Sequence, residues 1–147
     1  MTANPPKTAV VTGASSAFGA AYAHRLAERG YALVLVGRND GRLKAVAADI
    51  TQRTGAGVEI LVMDLTDADD LERLEERLRT DESVQMLVNS AGAAAFSSAA
   101  GFSAAATQEL IALNVTAPTR LTAAALTGLT QRGRGTIVNV SSALAFY

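Results

Sequence analysis

The stretch best suited to holding an anion is Thr12-Gly13-Ala14-Ser15-Ser16-Ala17-Phe18-Gly19, which follows an apolar run and opens a helical pattern. Small residues at such a turn let the backbone approach a pyrophosphate, whose charge the free N–H groups and positive dipole end of the helix can receive. The spacing is not G-x-G-x-x-G, because Gly13 and Gly19 lie six apart with Ala17 between them. Two glycines alone are also compatible with an ordinary strand-to-helix turn. Arg38 follows a second apolar run and offers a planar, permanently charged fork suited to phosphate, or else a solvated helix entrance. Asp64 ends a third run. Ser141 and Ser142 follow a fifth, and Asn114 is a polar residue within the apolar face of Leu110, Ile111, Leu113 and Val115, a placement that costs free energy unless its amide is satisfied. His24 has no acidic or nucleophilic companion and reads as a surface or packing residue. The chain has no cysteine, so thiolate catalysis, disulfides and cysteine zinc sites are excluded, and a single histidine makes no metal cluster. No metal site is expected.

Those residues need a scaffold that gathers them at one edge. Apolar runs occur at Thr8–Thr12, Ala32–Val36, Val58–Val62, Val84–Asn89 and Thr136–Val140. Several are apolar on consecutive positions, as parallel strands covered on both faces should be. Helical patterns alternate with them. The first, roughly Phe18 to Arg29, stops at Gly30. In the second, Leu43, Val46, Ala47 and Ile50 share a face, with Asp40 or Asn39 as N-cap. The third opens on Thr66-x-x-Asp69, close to a capping box, and aligns Leu71, Leu74 and Leu78, with Asp69/Arg73 and Glu75/Arg79 spaced for ion pairs on its solvent side. The fourth runs from about Ser103 to Leu129 and should bend at Pro118. Ala91 to Ala106 reads as a small-residue loop at the carboxyl edge. Five strands alternating with four helices predict one α/β domain over residues 1–147, a doubly wound, Rossmann-like parallel sheet in the order 3-2-1-4-5.

With 147 residues, 49% hydrophobic and 18% charged, the chain can bury a core without staples. Thirteen basic against 14 acidic side chains give a net charge of -1 and no basic block, which excludes the footprint of a nucleic-acid or anionic-membrane binder. The stretch from Ala9 to Ala23 imitates a signal peptide, but Thr12, Gly13, Ser15, Ser16 and Gly19 interrupt it. Ser83 to Gln108 carries no charge, yet its Ser, Gly, Gln85 and Asn89 gain little from lipid. A cytoplasmic protein with no membrane association is expected.

The pattern Thr-Gly-x-x-x-(Gly/Ala)-x-Gly, here Thr12 to Gly19, resembles the glycine motif of the short-chain dehydrogenase/reductase family. Gly37-Arg38, Met63-Asp64-Leu65, Asn89-Ser90-Ala91-Gly92, Leu113-Asn114-Val115 and Ile137-Val138-Asn139-Val140-Ser141-Ser142 follow in the family's order. The resemblance implies carbonyl/alcohol interconversion by hydride transfer from a nicotinamide dinucleotide, acting on a small-molecule carbonyl or alcohol substrate. Cofactor binding is then expected from Gly13, Ser15, Ser16, Phe18, Gly19, Arg38, Asp64, Leu65, Asn89, Ala91 and Gly92. Asp64 would bind the adenine amino group. Arg38 stands where an NAD site places an acid for the ribose 2'-OH, so NADP is expected and NAD less so. Ser90 replaces the family's second asparagine, which implies weakened support and retained binding. On the catalytic side, Ser142 would hydrogen-bond the substrate oxygen, and Asn114 would hold a helix distortion and a relay water.

The family's Tyr-x-x-x-Lys pair should follow Ser142 after a loop, whereas Tyr147 lies five positions on, with Lys7 and Lys44 in other regions. The catalytic tyrosine role is therefore not carried onto Tyr147, and the chain is expected to be a truncated cofactor-binding portion, with little or no activity alone. Loss of positioned acid–base groups removes about 10²–10⁴ in rate. Strand five would form an open apolar edge, with poor solubility or marginal stability as the expected consequence. A complementing chain or homo-oligomer is one expected partner; a non-catalytic nucleotide-binding or interaction module is the alternative function.

Overall fold

A computed structural model describes residues 6–94 and 103–142. It contains a five-stranded, all-parallel sheet in the order β3-β2-β1-β4-β5. The strands are β1 Thr8–Thr12, β2 Ala32–Gly37, β3 Val58–Val62, β4 Val84–Asn89 and β5 Thr136–Asn139. Helices α1 (Ala17–Glu28) and α2 (Asp40–Thr54) cover one face, while α3 (Ala68–Thr80) and α5 (Ala117–Arg132) cover the other. β1 is buried along its whole length: Ala9 and Val11 pack with Ala23, Leu26, Leu43 and Ile50, and Val10 packs with Leu74, Leu78 and Leu121 on the opposite face. That two-sided burial is why the central strands carry apolar residues at consecutive positions. Among the described residues β5 pairs with β4 alone, and its Ile137 and Val138 are only half-buried. No described helix is long and apolar enough to cross a membrane.

Helix boundaries correct several expectations. Asn39 caps α2, accepting from the Arg42 N–H at 2.9 Å, while Asp40 pairs with Lys44 at 2.6 Å. The cap of α3 is Asp67 rather than Thr66; its carboxylate accepts from the Asp69 and Asp70 N–H groups, each at 3.0 Å. A full negative charge at a helix N-terminus outcompetes a hydroxyl there. The fourth helical segment is broken before Pro118: α4 (Ala104–Ile111), capped by Ser103, passes through a π turn (Ala112–Thr116) into α5. Proline supplies no N–H for the Asn114 carbonyl four residues back, so the wide turn centres on Asn114. Tyr147 and residues 95–102 of the expected small-residue loop lie outside the described residues.

Of the two expected ion pairs on α3, one has another partner, and the other, Glu75 with Arg79, forms but away from solvent. Arg73 pairs with Asp70 rather than Asp69. Glu75 is 5% exposed, on the face of α3 that meets α5, where Arg120 grips it with Nε at 2.6 Å and Nη2 at 2.9 Å; Arg79 adds a contact at 3.3 Å. The Arg120 hydrogen bond, with the charges of Arg120 and Arg79, holds the Glu75 carboxyl below its ordinary value against the opposing effect of burial. A carboxylate whose folded pKa is lowered stabilises above its unfolded pKa, and that contribution is lost as pH falls through the folded value. Glu75→Gln is expected to lower stability at neutral pH by about 1–1.5 kcal/mol, near the low end for hydrogen bonds to a charged group because Arg120 is partly exposed to solvent. Its denaturation midpoint should also fall less steeply on acidification than the wild type's. Arg120→Met should destabilise more than Glu75→Gln, because it leaves the buried carboxylate to Arg79 alone.

Candidate functional site: two cavities at the carboxyl edge

Strand ends β1, β2, β3 and β4 enclose a cleft of about 400 Å³, lined by Gly13, Ser15, Ser16, Gly37, Arg38, Asn39, Arg42, Met63, Asp64, Leu65, Ser90, Ala91, Gly92 and Leu113. Its floor is the glycine turn. Gly13 adopts φ +65°, and a Cβ there would stand 2.7 Å from Ala91 Cα and 2.8 Å from Ala91 N. Gly19 lies directly beneath, where a Cβ would meet the Gly13 carbonyl oxygen at 2.3 Å. The two glycines thus let α1 pack against the turn and the turn against β4. Ser16 caps α1 by accepting from the Gly19 N–H at 3.0 Å. That leaves the N–H groups of Ala17 and Phe18, which a helix cannot satisfy internally, for an anion.

Thr12 fixes the opposite wall. Its Oγ1 accepts from the Ser90 and Ala91 N–H groups, each at 3.1 Å, and donates to the Val88 carbonyl at 3.3 Å. The Ser90 hydroxyl donates to the Thr12 carbonyl, so the serine in place of an asparagine still ties β4 to β1. Thr12→Val keeps the shape but strands two amide donors, and should cost about 1–3 kcal/mol per unsatisfied group. Urea denaturation of the variant checks it, and an unchanged midpoint would contradict the bridging role.

The charged residues of the cleft are Arg38, Arg42 and Asp64. Thr66 donates to the Asp64 carboxylate from its backbone N–H at 3.0 Å and from its hydroxyl at 2.7 Å. Those bonds, with a smaller contribution from the Arg38 charge, hold the Asp64 carboxyl below its ordinary value against burial. Asp64 is therefore an ionised acceptor at neutral pH, suited to an exocyclic amine. Asp40 and Lys44 do not line the cleft.

A second cavity, about 900 Å³, opens between β4, β5 and α5 and shares Ser90, Ala91 and Gly92 with the first. Asn114, Ser141 and Ser142 line it, with Pro118, Thr119, Thr122, Asn89 and Asn139. Asn114 is exposed and not buried; its amide pairs with both backbone groups of Ala93, accepting at 3.0 Å and donating at 2.7 Å. Of the apolar face expected around it, Ile111 and Val115 are 50% and 57% exposed, while Leu113 packs against the core and Leu110 is half-buried.

Of the expected cofactor residues, Gly13, Ser15, Ser16, Arg38, Asp64, Leu65, Ala91 and Gly92 converge on the smaller cleft. Asn89 does not: its Nδ2 donates to Asn139 at 2.8 Å and Thr122 at 3.1 Å beside the larger cavity. Phe18 is exposed with its ring against Tyr22, and Gly19 acts from underneath. Ser142 and Asn114 do share a cavity. Gly37, quoted in the sequence only beside Arg38, and Asn39, read only as a cap, also line the cleft; Arg42 was missed, and its signal was its position one helical turn after Arg38. Sequence reading also missed the contact of His24 Nε2 with Asp49 at 3.0 Å, which crosses from α1 to α2. Among the described residues no group of His, Cys, Asp and Glu could hold a metal ion.

Known proteins share this fold. Human 17-beta-hydroxysteroid dehydrogenase type 3 is 36% identical over 141 residues, which cover 95% of this chain and 45% of that protein. The chain spans about half the length of the curated relatives it matches. The bulky-bulky ketone specific alcohol dehydrogenase of Comamonas testosteroni superposes with a TM-score of 0.92 at 40% identity, covering 97% of this chain and 57% of that one. A short-chain dehydrogenase from Sphingobium yanoikuyae, solved in complex with NADPH, gives 0.91 at 45% identity, covering 95% and 55%. The family model described as short chain dehydrogenase matches residues 7–147, so this chain belongs to the short-chain dehydrogenase family.

Proposed function

We propose that this chain is the cofactor-binding portion of an NADP-dependent oxidoreductase that interconverts a carbonyl and an alcohol, in a cytoplasmic setting. The observation carrying this reading is that one cleft joins the glycine turn, Arg38 and Asp64 at adjoining strand ends. Its floor fits a dinucleotide: Gly13 and Gly19, where a Cβ would collide with the backbone behind the turn, let α1 pack close beneath it and present the free amide groups of its first turn to a pyrophosphate. Asp64 takes the adenine amine, Arg38 the 2'-phosphate, and the amide groups that open α1 the pyrophosphate. Ala91 and Gly92, common to both cavities, pass the dinucleotide from one to the other.

When bound, the nicotinamide supplies or accepts hydride. The larger cavity then holds the substrate: Ser142 hydrogen-bonds its oxygen, while Asn114 pins the Ala93 backbone and centres the π turn that shapes the cavity wall. In the family, proton donation falls to a tyrosine whose pKa a lysine lowers, a role carried onto no residue of this chain. The NADPH complex of the Sphingobium relative supports the cofactor. The test is NADPH oxidation by the full-length protein over a panel of ketones. Ser142→Ala should lower kcat by about 10²-fold, the lower range for a positioned group acting in the transition state, with NADPH affinity unchanged. Turnover undiminished in that variant would overturn the role of Ser142; NADPH binding without turnover of any ketone would overturn the enzyme reading.

A further inference from the structure

Resting on the reading of the smaller cleft as an NADP site, we propose that Arg42 is a second specificity-determining residue, closing on the 2'-phosphate opposite Arg38. Arg38 stands just before the Asn39 cap of α2, and Arg42 is the third residue of the helix; both line the cleft beside Ser15 and Gly37. Gly37 has no side chain to crowd this corner: a Cβ there would come within 3.3 Å of the Ser15 hydroxyl. Several other helix-borne basic residues pair with a carboxylate within one turn, as Arg25 does with Glu28, Lys44 with Asp40 and Arg53 with Asp49. Among the described residues, Arg38 and Arg42 make no ion pair. The one acid in the first turn of α2, Asp40, is held by Lys44 at 2.6 Å, outside the cleft.

This is an unfavourable way to build a helix start. A cation in the first turn opposes the helix dipole, and two unpaired guanidinium groups one turn apart repel each other. A doubly charged phosphate between them removes both penalties and makes charge-assisted hydrogen bonds with each fork. A ribose that ends in a 2'-hydroxyl does neither. Glutamate at position 42 would serve the fold better, since Asn39 followed three residues later by Glu completes a capping box.

The experiment titrates the full-length wild type, Arg42→Gln, Arg42→Glu and Arg38→Gln with NADPH and with NADH, with thermal melts of each in the absence of dinucleotide. Arg42→Gln should weaken NADPH about tenfold and NADH less than about threefold, as expected for losing one charged partner of the phosphate. Arg42→Glu should weaken NADPH further while the melting temperature without ligand holds or rises. If Arg38→Gln abolishes the preference for NADPH and Arg42→Gln leaves it intact, the assignment of Arg42 is overturned and the cofactor reading stands. Equal weakening of both dinucleotides, or a lower melting temperature in Arg42→Glu, also overturns it by pointing to a structural role. A wild type that binds neither dinucleotide overturns both.

Discussion

Gly13→Ala should lower stability by about 2–5 kcal/mol: about 1–2 for holding an L-residue in the left-handed region, plus about 1–3 for overpacking. Here the added Cβ meets Ala91 and the Ser90 carbonyl at 2.7 to 2.9 Å, and these are backbone atoms that cannot swing aside. Gly55 is an internal control, because it has a similar φ, +70°, with nothing within 4 Å of a built Cβ. Gly55→Ala should therefore show the conformational cost alone. Gly19→Ala sets two effects against each other. Alanine gains about 1 kcal/mol in helix propensity, yet its Cβ would lie 2.3 Å from the Gly13 oxygen, so overpacking wins and the variant is destabilised. Denaturant melts of the three variants measure these differences, and a Gly13 variant no less stable than the Gly55 variant would refute the close approach of the turn to β4.

Arg38→Asp should weaken NADPH by about 10²–10³-fold. The loss of charge-assisted bonds contributes about 1.5–3 kcal/mol, and the repulsion between the new carboxylate and the phosphate adds more; each 1.4 kcal/mol is about tenfold. NADH should be affected little, because an acid after β2 can accept from a ribose 2'-OH. Paired titrations read the ratio. Equal losses for both dinucleotides would mean that Arg38 acts on the shape of the cleft and not on the phosphate.

Strands and the glycine turn were legible in the sequence because each is local: β-branched runs, a 3.6 period, and punctuation by Gly30; the strand order, which pairs β1 with β4 across about 75 residues, followed from the resemblance and not from any local signal. Cap identities were half legible. Asn39, Asp40, Thr66 and Asp67 all have the chemistry to cap, and only the path of the chain decides which one meets the free amides. Contacts between distant segments were not legible. Glu75 sits at ion-pair spacing from Arg79, which suggested a solvated face, yet its main partner is Arg120, 45 residues away on another helix. His24 and Asp49 meet for the same reason, across the groove between α1 and α2. Asn114 was visible as a misplaced polar residue; that its amide would clamp the Ala93 backbone depended on the π turn, which sequence periodicity cannot show. Arg38 announced itself by its place after a strand. Arg42 looked like one more charge on a helix until the cleft showed both arginines facing the same space.

The most direct test of the central claim is a fluorescence titration of the full-length protein with NADPH and with NADH under identical salt. Saturable NADPH binding at least about tenfold tighter than NADH is the predicted result, the discrimination expected when one phosphate meets an unpaired arginine. Binding of neither dinucleotide, or equal binding of the two, would contradict the account.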